Sequence, residues 1–148
     1  MGPSGPPGPP GADAVSEYAY FVSFAEQTLL PDTNVDLIGP IGGSGNFALV
    51  NSGLEISVAT SGTYAVWYSV TTTDRSQFGV TIDGSVWLFS VSASNSGAQT
   101  NGMSILNLQA GDLLGLRNIS DATSVPRPTF ATETEPTVNA SLMIQKID

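Results

Sequence analysis

The chain has 148 residues, of which 41% are hydrophobic, 11% are charged and none is cysteine or histidine. Thirteen acidic residues against four basic ones give a formal net charge of −9. The lack of cysteine and histidine excludes disulfides, thiol chemistry, His-based triads and imidazole acid–base work, and the few scattered basic residues form no stripe for nucleic-acid phosphates. We therefore expect one non-enzymatic domain with a short tail, which binds no nucleic acid and needs no cofactor.

Four Gly-X-Y triplets rich in proline open the chain. Each triplet begins with a glycine, at Gly2, Gly5, Gly8 and Gly11. Glycine at every third residue is the requirement of the collagen triple helix, because only glycine fits beside the axis that three chains share. A proline- and glycine-rich linker is the alternative, but the strict period favours collagen. We predict a collagen-like segment over residues 1–13, too short to hold a triple helix by itself and frayed, then a linker over residues 14–17.

Residues 18–148 are predicted to form one head domain made of short strands. Apolar and β-branched segments alternate with turns rich in Gly, Asn, Asp and Ser, and no useful length of sequence has a helical period. Strands are predicted over residues 18–24, 35–38, 46–50, 54–59, 63–73, 78–82, 86–91, 100–108, 113–119 and 138–147. Asp83-Gly84 predicts a two-residue hairpin turn, and residues 120–136 are expected to be irregular. The pattern predicts an all-β sandwich or jelly roll.

Several of these strands are apolar at both phases of the alternation. One face of such a strand can fill the core, and a subunit interface would cover the other, although a central buried strand gives the same pattern. The residues expected in the core or in a trimer interface are Tyr64, Trp67, Tyr68, Trp87, Phe89, Leu142, Ile144 and Ile147. Leu142 and Ile144 are the expected axial contacts, with Met143 and Ile147 on the other phase. Leu142→Asp is therefore expected to break a trimer.

The aromatic and acidic residues of the sequence also allow other kinds of site. Trp67, Tyr68, Trp87 and Phe89 allow a carbohydrate-stacking patch as an alternative, but aromatic residues at alternating strand positions are more typical of packing. Asp83 and Asp112 lie in turns, and no loop supplies the several acids that calcium prefers. The pairs Glu133 with Glu135 and Asp32 with Asp36 are expected to be solvated loop acids, not glycosidase carboxylates.

Three segments behind the triplets carry a resemblance to a known family. Residues 62–70 have the Gly-x-Tyr pattern of a central strand, residues 106–116 contain a Leu-x-x-Gly-Asp-x-aliphatic hairpin, and residues 140–147 are an apolar terminal strand. In this order the chain resembles the C1q/TNF-like jelly-roll family, and in particular its bacterial collagen-linked branch of exosporium glycoproteins. The resemblance implies a homotrimer with the terminal strand at its axis.

The resemblance also implies a function. The chain would be the non-enzymatic, trimerising C-terminal head of a collagen-like filament on a bacterial spore exosporium or cell surface, where it nucleates the triple helix and forms the exposed tip. The alternative is a phage tail-fibre tip or adhesin whose loops, at residues 38–46, 71–77, 93–100 and 120–136, contact a surface protein, a host receptor or a glycan. No apolar run approaches the roughly 20 residues that span a bilayer, so no membrane span is expected.

Overall fold

A computed structural model of the chain describes residues 1–10, 17–123, 126 and 137–148. The described residues form eleven strands and no α-helix. In chain order the strands are β1 (Tyr18–Ser23), β2 (Thr33–Asn34), β3 (Phe47–Val50), β4 (Glu55–Val58), β5 (Gly62–Thr71), β6 (Ser76–Ile82), β7 (Ser85–Val86), β8 (Ser92–Ser94), β9 (Gln99–Leu108), β10 (Leu113–Asn118) and β11 (Ala140–Lys146). Single 3₁₀ turns cover Asn51–Gly53 and Leu88–Ser90. The predicted all-β class is confirmed.

The strands form two antiparallel sheets that pack face to face. The four-stranded sheet has the order β1-β11-β5-β9, and the seven-stranded sheet has the order β3-β4-β10-β6-β7, with β2 paired to β10 and β8 paired to β6. In each sheet most neighbours are distant in sequence, as when Tyr18 of β1 pairs with Gln145 of β11. Such long connections between two sheets are those of a Greek-key jelly roll.

Alternating side chains fill the space between the sheets. In β9, for example, Leu106 and Leu108 are buried whereas Met103 and Ile105 on the opposite face are exposed. The largest fully buried side chains come from both sheets: Tyr64, Phe21, Phe78, Ile56, Leu108, Leu114, Leu116, Leu142, Ile144, Val35, Val58 and Val66. Burial of each large apolar side chain stabilises the fold by about 1.5–3 kcal/mol relative to exposure.

Leu142 and Ile144 are part of this core, and their expected position at a trimer axis is corrected. Both side chains are 0% exposed within the single chain. Leu142 lies between its β1 partner Phe21 and its β5 partner Tyr68, which are buried as well. No surface of these leucine and isoleucine side chains remains to contact another subunit.

Two predicted strands are placed differently in the structure. The segment predicted at residues 35–38 is instead a crossing between sheets: the amide of Val35 donates to the carbonyl of Leu116 (2.7 Å), and that of Ile38 donates to Val22 (2.8 Å). The segment predicted at residues 86–91 turns at Leu88–Ser90. There the Ser90 hydroxyl accepts the amide of Val80 at 2.8 Å, a position that a strand carbonyl would otherwise occupy.

The predicted hairpin at Asp83-Gly84 is confirmed. Ile82 pairs with Ser85, and the two turn residues have φ values of 49° and 82°. Positive φ at both central positions defines the type I′ turn, whose twist matches that of the flanking strands.

The two ends of the sandwich are distinguished by the strand ends and loops that lie there. At one end β1 begins at Tyr18, and Glu17 before it accepts the amide of Lys146 of β11 at 2.8 Å. We call this the proximal end. At the opposite, distal end lie Thr71 and Gln99, which pair with each other, and the loops that follow β5 and precede β9.

Candidate functional site

The outer face of the four-stranded sheet carries a stripe of large apolar side chains. Tyr20 pairs with Met143, Met143 pairs with Trp67, and Trp67 pairs with Met103. Paired residues of an antiparallel sheet lie side by side on the same face. These four side chains therefore form one continuous stripe across all four strands, which we call the apolar row. Met103 at its end is 62% exposed.

The neighbouring outward positions extend this surface without adding charge. Towards the proximal end the next row consists of Tyr18, Gln145, Ala65 and Ile105, and its Tyr18 and Ile105 are exposed. Towards the distal end the outward positions become small and polar, at Ser141, Ser69 and Asn101. These small side chains leave a groove of about 480 Å³ beside Trp67 and Met103. The face thus combines large apolar side chains with a shallow, uncharged concavity.

A second exposed apolar feature projects from the turn at Leu88–Ser90. Leu88 is 76% exposed and Phe89 is 81% exposed, and we call this pair the edge knob. The turn is anchored to the edge strand β9, because Trp87 donates from Nε1 to the Ser104 hydroxyl at 2.9 Å. The Phe89 ring lies edge-on to Trp87 with ring centroids 5.3 Å apart. The knob is therefore held beside the β9 edge of the four-stranded sheet.

Tyr68 connects the core to the edge knob. Its buried hydroxyl lies 2.9 Å from the carbonyl oxygen of Phe78 and 2.5 Å from that of Ser90, and can donate its proton to either. Burial raises the pKa of the Tyr68 phenol. A Cβ at the cross-strand position Gly102 would overlap the tyrosine ring, so glycine there leaves the space that the ring occupies.

Polar contacts fix the proximal end. The Tyr64 hydroxyl donates to the carbonyl of Thr60 at 2.5 Å, and burial, together with the charges of Glu17 and Asp148, raises the pKa of Tyr64 to about 12. The Lys146 ammonium lies 2.9 Å from Asp148 Oδ1. This contact and the Thr63 amide lower the pKa of Asp148 to about 2. The two chain segments at the end of the sheet, around Glu17 and after β11, are thus tied together.

The eight residues expected in the core or interface divide between the two locations. Tyr64, Tyr68, Leu142 and Ile144 are core residues of the single chain. Trp67 lies in the apolar row, Phe89 forms part of the edge knob, and Trp87 is half-buried behind it. Ile147 is 48% exposed beyond the end of β11. Tyr20, Met103, Ile105 and Leu88 were missed, although the alternation in β9 could have revealed Met103 and Ile105.

Nothing within the single chain requires glycine at the described positions of the N-terminal triplets. Residues 1–10 are exposed and form no strand or helix. A Cβ at Gly2, Gly5 or Gly8 would meet nothing within 4 Å, and none of the three has a positive φ. Gly11 lies outside the described residues. A side chain would therefore be accepted at these three positions by the chain alone.

The acidic side chains of the described part of the chain have structural partners or stand apart from one another. There, no group of three or more His, Cys, Asp or Glu side chains is arranged to hold a metal ion. The Asp112 carboxylate accepts the amide of Gln109 in its own turn (2.7 Å), and the Asp83 carboxylate accepts the amide of Leu113 at the start of β10 (2.9 Å). Glu133 and Glu135 lie outside the described residues. No helix formed by the described residues has the length and hydropathy that crossing a bilayer would require.

Comparison of the structure with solved proteins identifies the fold. Eiger TNF from S. frugiperda superimposes with a TM-score of 0.63 and 16% sequence identity, covering 90% of this chain and 93% of that one. Murine APRIL at pH 5.0 gives a TM-score of 0.65 with 15% identity over 89% of this chain and 99% of that chain. Rabbit GITRL gives 0.51 with 15% identity over 89% and 94% of the two chains.

These likenesses define a TNF-like jelly-roll fold. The sequence itself matches no family model and no curated protein. At identities near 15% the shared feature is the arrangement of strands, so the function of this chain has to be inferred from its own surfaces.

Proposed function

We propose that the chain is the trimerising head of a collagen-like filament, in which the outer face of the four-stranded sheet packs against neighbouring copies of the same chain. The apolar row of Tyr20, Met143, Trp67 and Met103 is the observation that carries this proposal. A contiguous, uncharged apolar face is typical of a surface that another protein covers.

The N-terminal triplets favour two further copies of the chain as the occupant of this face. A triple helix requires three chains, and Gly-X-Y spacing is its sequence requirement. Gly2, Gly5 and Gly8 have no steric or backbone reason to be glycine in the single chain. The triplets also precede β1, whose first residue Tyr18 lies on the same outer face as the apolar row. Heads that meet through this face would therefore bring their N-terminal segments together at the proximal end.

The two exposed apolar features favour a ring over a two-fold dimer. The concave groove lies on the sheet face beside Trp67, whereas the projecting knob of Leu88 and Phe89 lies at the β9 edge. A contact between two different surfaces is heterologous. It covers both surfaces of every copy only when the copies close into a ring. With three copies, each knob packs towards the groove of the next copy, so that both features are covered in every copy.

The proposed assembly has a structural role. Residues 1–13 form the end of the collagen-like stalk, residues 14–17 the linker and residues 18–148 the head. The head aligns three stalk chains and thereby nucleates the triple helix, since holding the three chains together makes their pairing intramolecular. We propose, from the resemblance to exosporium glycoproteins, that this head lies at an extracellular bacterial surface, on a spore exosporium or a cell surface. No catalytic step is assigned to it.

A fusion with a longer stalk tests this role. Further Gly-Pro-Pro triplets are added before Gly2, the stalk is melted, and recovery of the triple helix is followed by circular dichroism at micromolar concentration. The intact head replaces a three-body encounter by an intramolecular one, so a fusion carrying Met103→Glu should recover at least about tenfold more slowly. Leu54→Glu, at an exposed leucine away from the sheet face, is the matched control. Equal recovery of all three fusions would contradict the proposal.

A further inference from the structure

Two polar cavities of similar size open on the seven-stranded-sheet side of the molecule, away from the apolar row. One, of about 550 Å³, lies towards the proximal end around Arg117. The other, of about 660 Å³, lies at the distal end around Arg75 and Gln77. Gln77 projects outward from β6, between the buried core residues Ser76 and Phe78. The two cavities differ in whether their polar side chains form hydrogen bonds within the chain.

In the proximal cavity the polar side chains are committed to one another. Arg117 donates from Nε to Asn34 Oδ1 and from Nη1 to the carbonyl of Gly84, each at 2.9 Å. Asn51 donates to the Glu55 carboxylate at 2.7 Å. These contacts hold β2, the Asp83-Gly84 turn and the turn before β4 in place. These polar groups of the proximal cavity therefore serve to hold the fold together.

In the distal cavity four polar side chains have no such hydrogen bonds. Arg75, Gln77, Asn95 and Asp121 line it, and within the described ranges none of these four side chains makes a hydrogen bond or an ion pair. They come from three loops that the sequence marked as candidate contact loops. A guanidinium, two amides and a carboxylate therefore face the same space with their donors and acceptors available.

The backbone that carries these groups is nevertheless firmly held. Below the cavity a chain of hydroxyls links Thr72 to Ser76 (3.1 Å), Ser76 to Thr100 (3.2 Å) and Thr100 to Ser94 (2.5 Å). On the other side the buried Asn118 amide donates to the carbonyl of Ala122 at 3.0 Å, which fixes the loop that bears Asp121. Available polar groups on a rigid support are the arrangement that a preorganised binding site requires.

We infer that the distal cavity is a binding site for a carboxylated saccharide. The Arg75 guanidinium matches a carboxylate with two parallel hydrogen bonds. Gln77, Asn95 and Asp121 supply the mixed donors and acceptors that sugar hydroxyls need. Ala93, Ile119 and Ala122 provide a small apolar surface for the C–H face of the ring. The volume of about 660 Å³ lies within the range of small-ligand sites and is large enough for a disaccharide.

The site belongs to one chain and does not depend on the proposed trimer. Its residues lie just before and on β6, on β8 and its following loop, and after β10, none of which contributes to the apolar row. In a trimer built through the four-stranded sheet, three such cavities would face outward near the distal tip. Failure of one proposal would therefore leave the other standing.

The test is an NMR titration of the full ¹⁵N-labelled chain with three probes: glucuronate, glucose and acetate. Glucuronate carries both the carboxylate and the ring hydroxyls, glucose lacks the carboxylate, and acetate lacks the ring. We expect saturable shifts with glucuronate confined to residues 75–77, 93–95 and 119–122. We expect at least about tenfold weaker binding of each of the other probes, because glucose lacks the charge-assisted contact to Arg75 and acetate lacks the contacts of the ring hydroxyls.

Two substitutions localise the effect. Arg75→Gln should weaken glucuronate at least about tenfold and leave glucose unchanged, because only the charge-assisted contact is lost. Gln77→Ala should weaken both sugars, whereas Ser96→Ala, at an exposed neighbour outside the cavity, should change neither. The proposal is overturned if glucuronate gives no saturable shifts or shifts elsewhere, if acetate binds as tightly, or if Arg75→Gln has no effect.

Discussion

Replacing Met103 by glutamate places a carboxylate at the end of the apolar row. Met103 is 62% exposed in the single chain, so the glutamate remains hydrated there and the fold is retained. Burying a fully exposed methionine contributes about 1.5–3 kcal/mol, so covering the exposed fraction of Met103 corresponds to about 1–2 kcal/mol per copy. A trimer loses this three times, about 3–6 kcal/mol, and each buried carboxylate adds a desolvation cost of several kcal/mol.

The loss of apolar burial alone weakens association by about two to four orders of magnitude. Sedimentation velocity at micromolar concentration should therefore show the Met103→Glu protein as a monomer. Its far-ultraviolet circular dichroism should remain that of the wild-type head, which separates dissociation from unfolding. Leu54→Glu adds the same charge at an exposed leucine of the other sheet and should leave the assembly intact. A Met103→Glu protein that stays trimeric would refute the assignment of this face to the interface.

The remaining predictions concern the core and its pH dependence. Leu142→Asp should unfold the chain rather than merely dissociate it. The loss of the buried leucine costs about 2–5 kcal/mol, and an unpaired carboxylate is buried in its place. A Leu142→Asp monomer that is folded by circular dichroism would contradict the core position. Tyr64, with its pKa raised from 10.0 to about 12, stabilises the fold fully below pH 10, and this contribution is lost as the pH rises through about 12. Denaturant unfolding across that interval should show wild-type stability falling more steeply than that of Tyr64→Phe, and parallel curves would contradict the burial of the phenol.

Local chemistry explains which elements the sequence could predict. Asp83-Gly84 specifies its turn through positive φ at two adjacent residues, and the long β5 strand is rich in β-branched and aromatic residues. The turn at Leu88–Ser90 was missed because its cause is not local. Ser90 acts there through a hydrogen bond to Val80 on another strand.

The candidate interface could be predicted only in part. In β11 the more apolar phase carries Leu142 and Ile144, and alternation could not decide whether this phase faces the core or another subunit. The decision comes from the pairing of β11 with β1, whose Phe21 is buried and whose Tyr20 faces outward. The apolar row takes one residue from each of four strands that are not consecutive in sequence, and only the register brings these residues together.

The mass of the wild-type chain in solution tests the central proposal most directly. Light scattering coupled to size exclusion at micromolar concentration should give three times the chain mass of 15.3 kDa. This mass should not change on moderate dilution, because each of the three copies buries its exposed apolar side chains in the interface. A folded species with the mass of a single chain would contradict the account, because the apolar row would then remain uncovered.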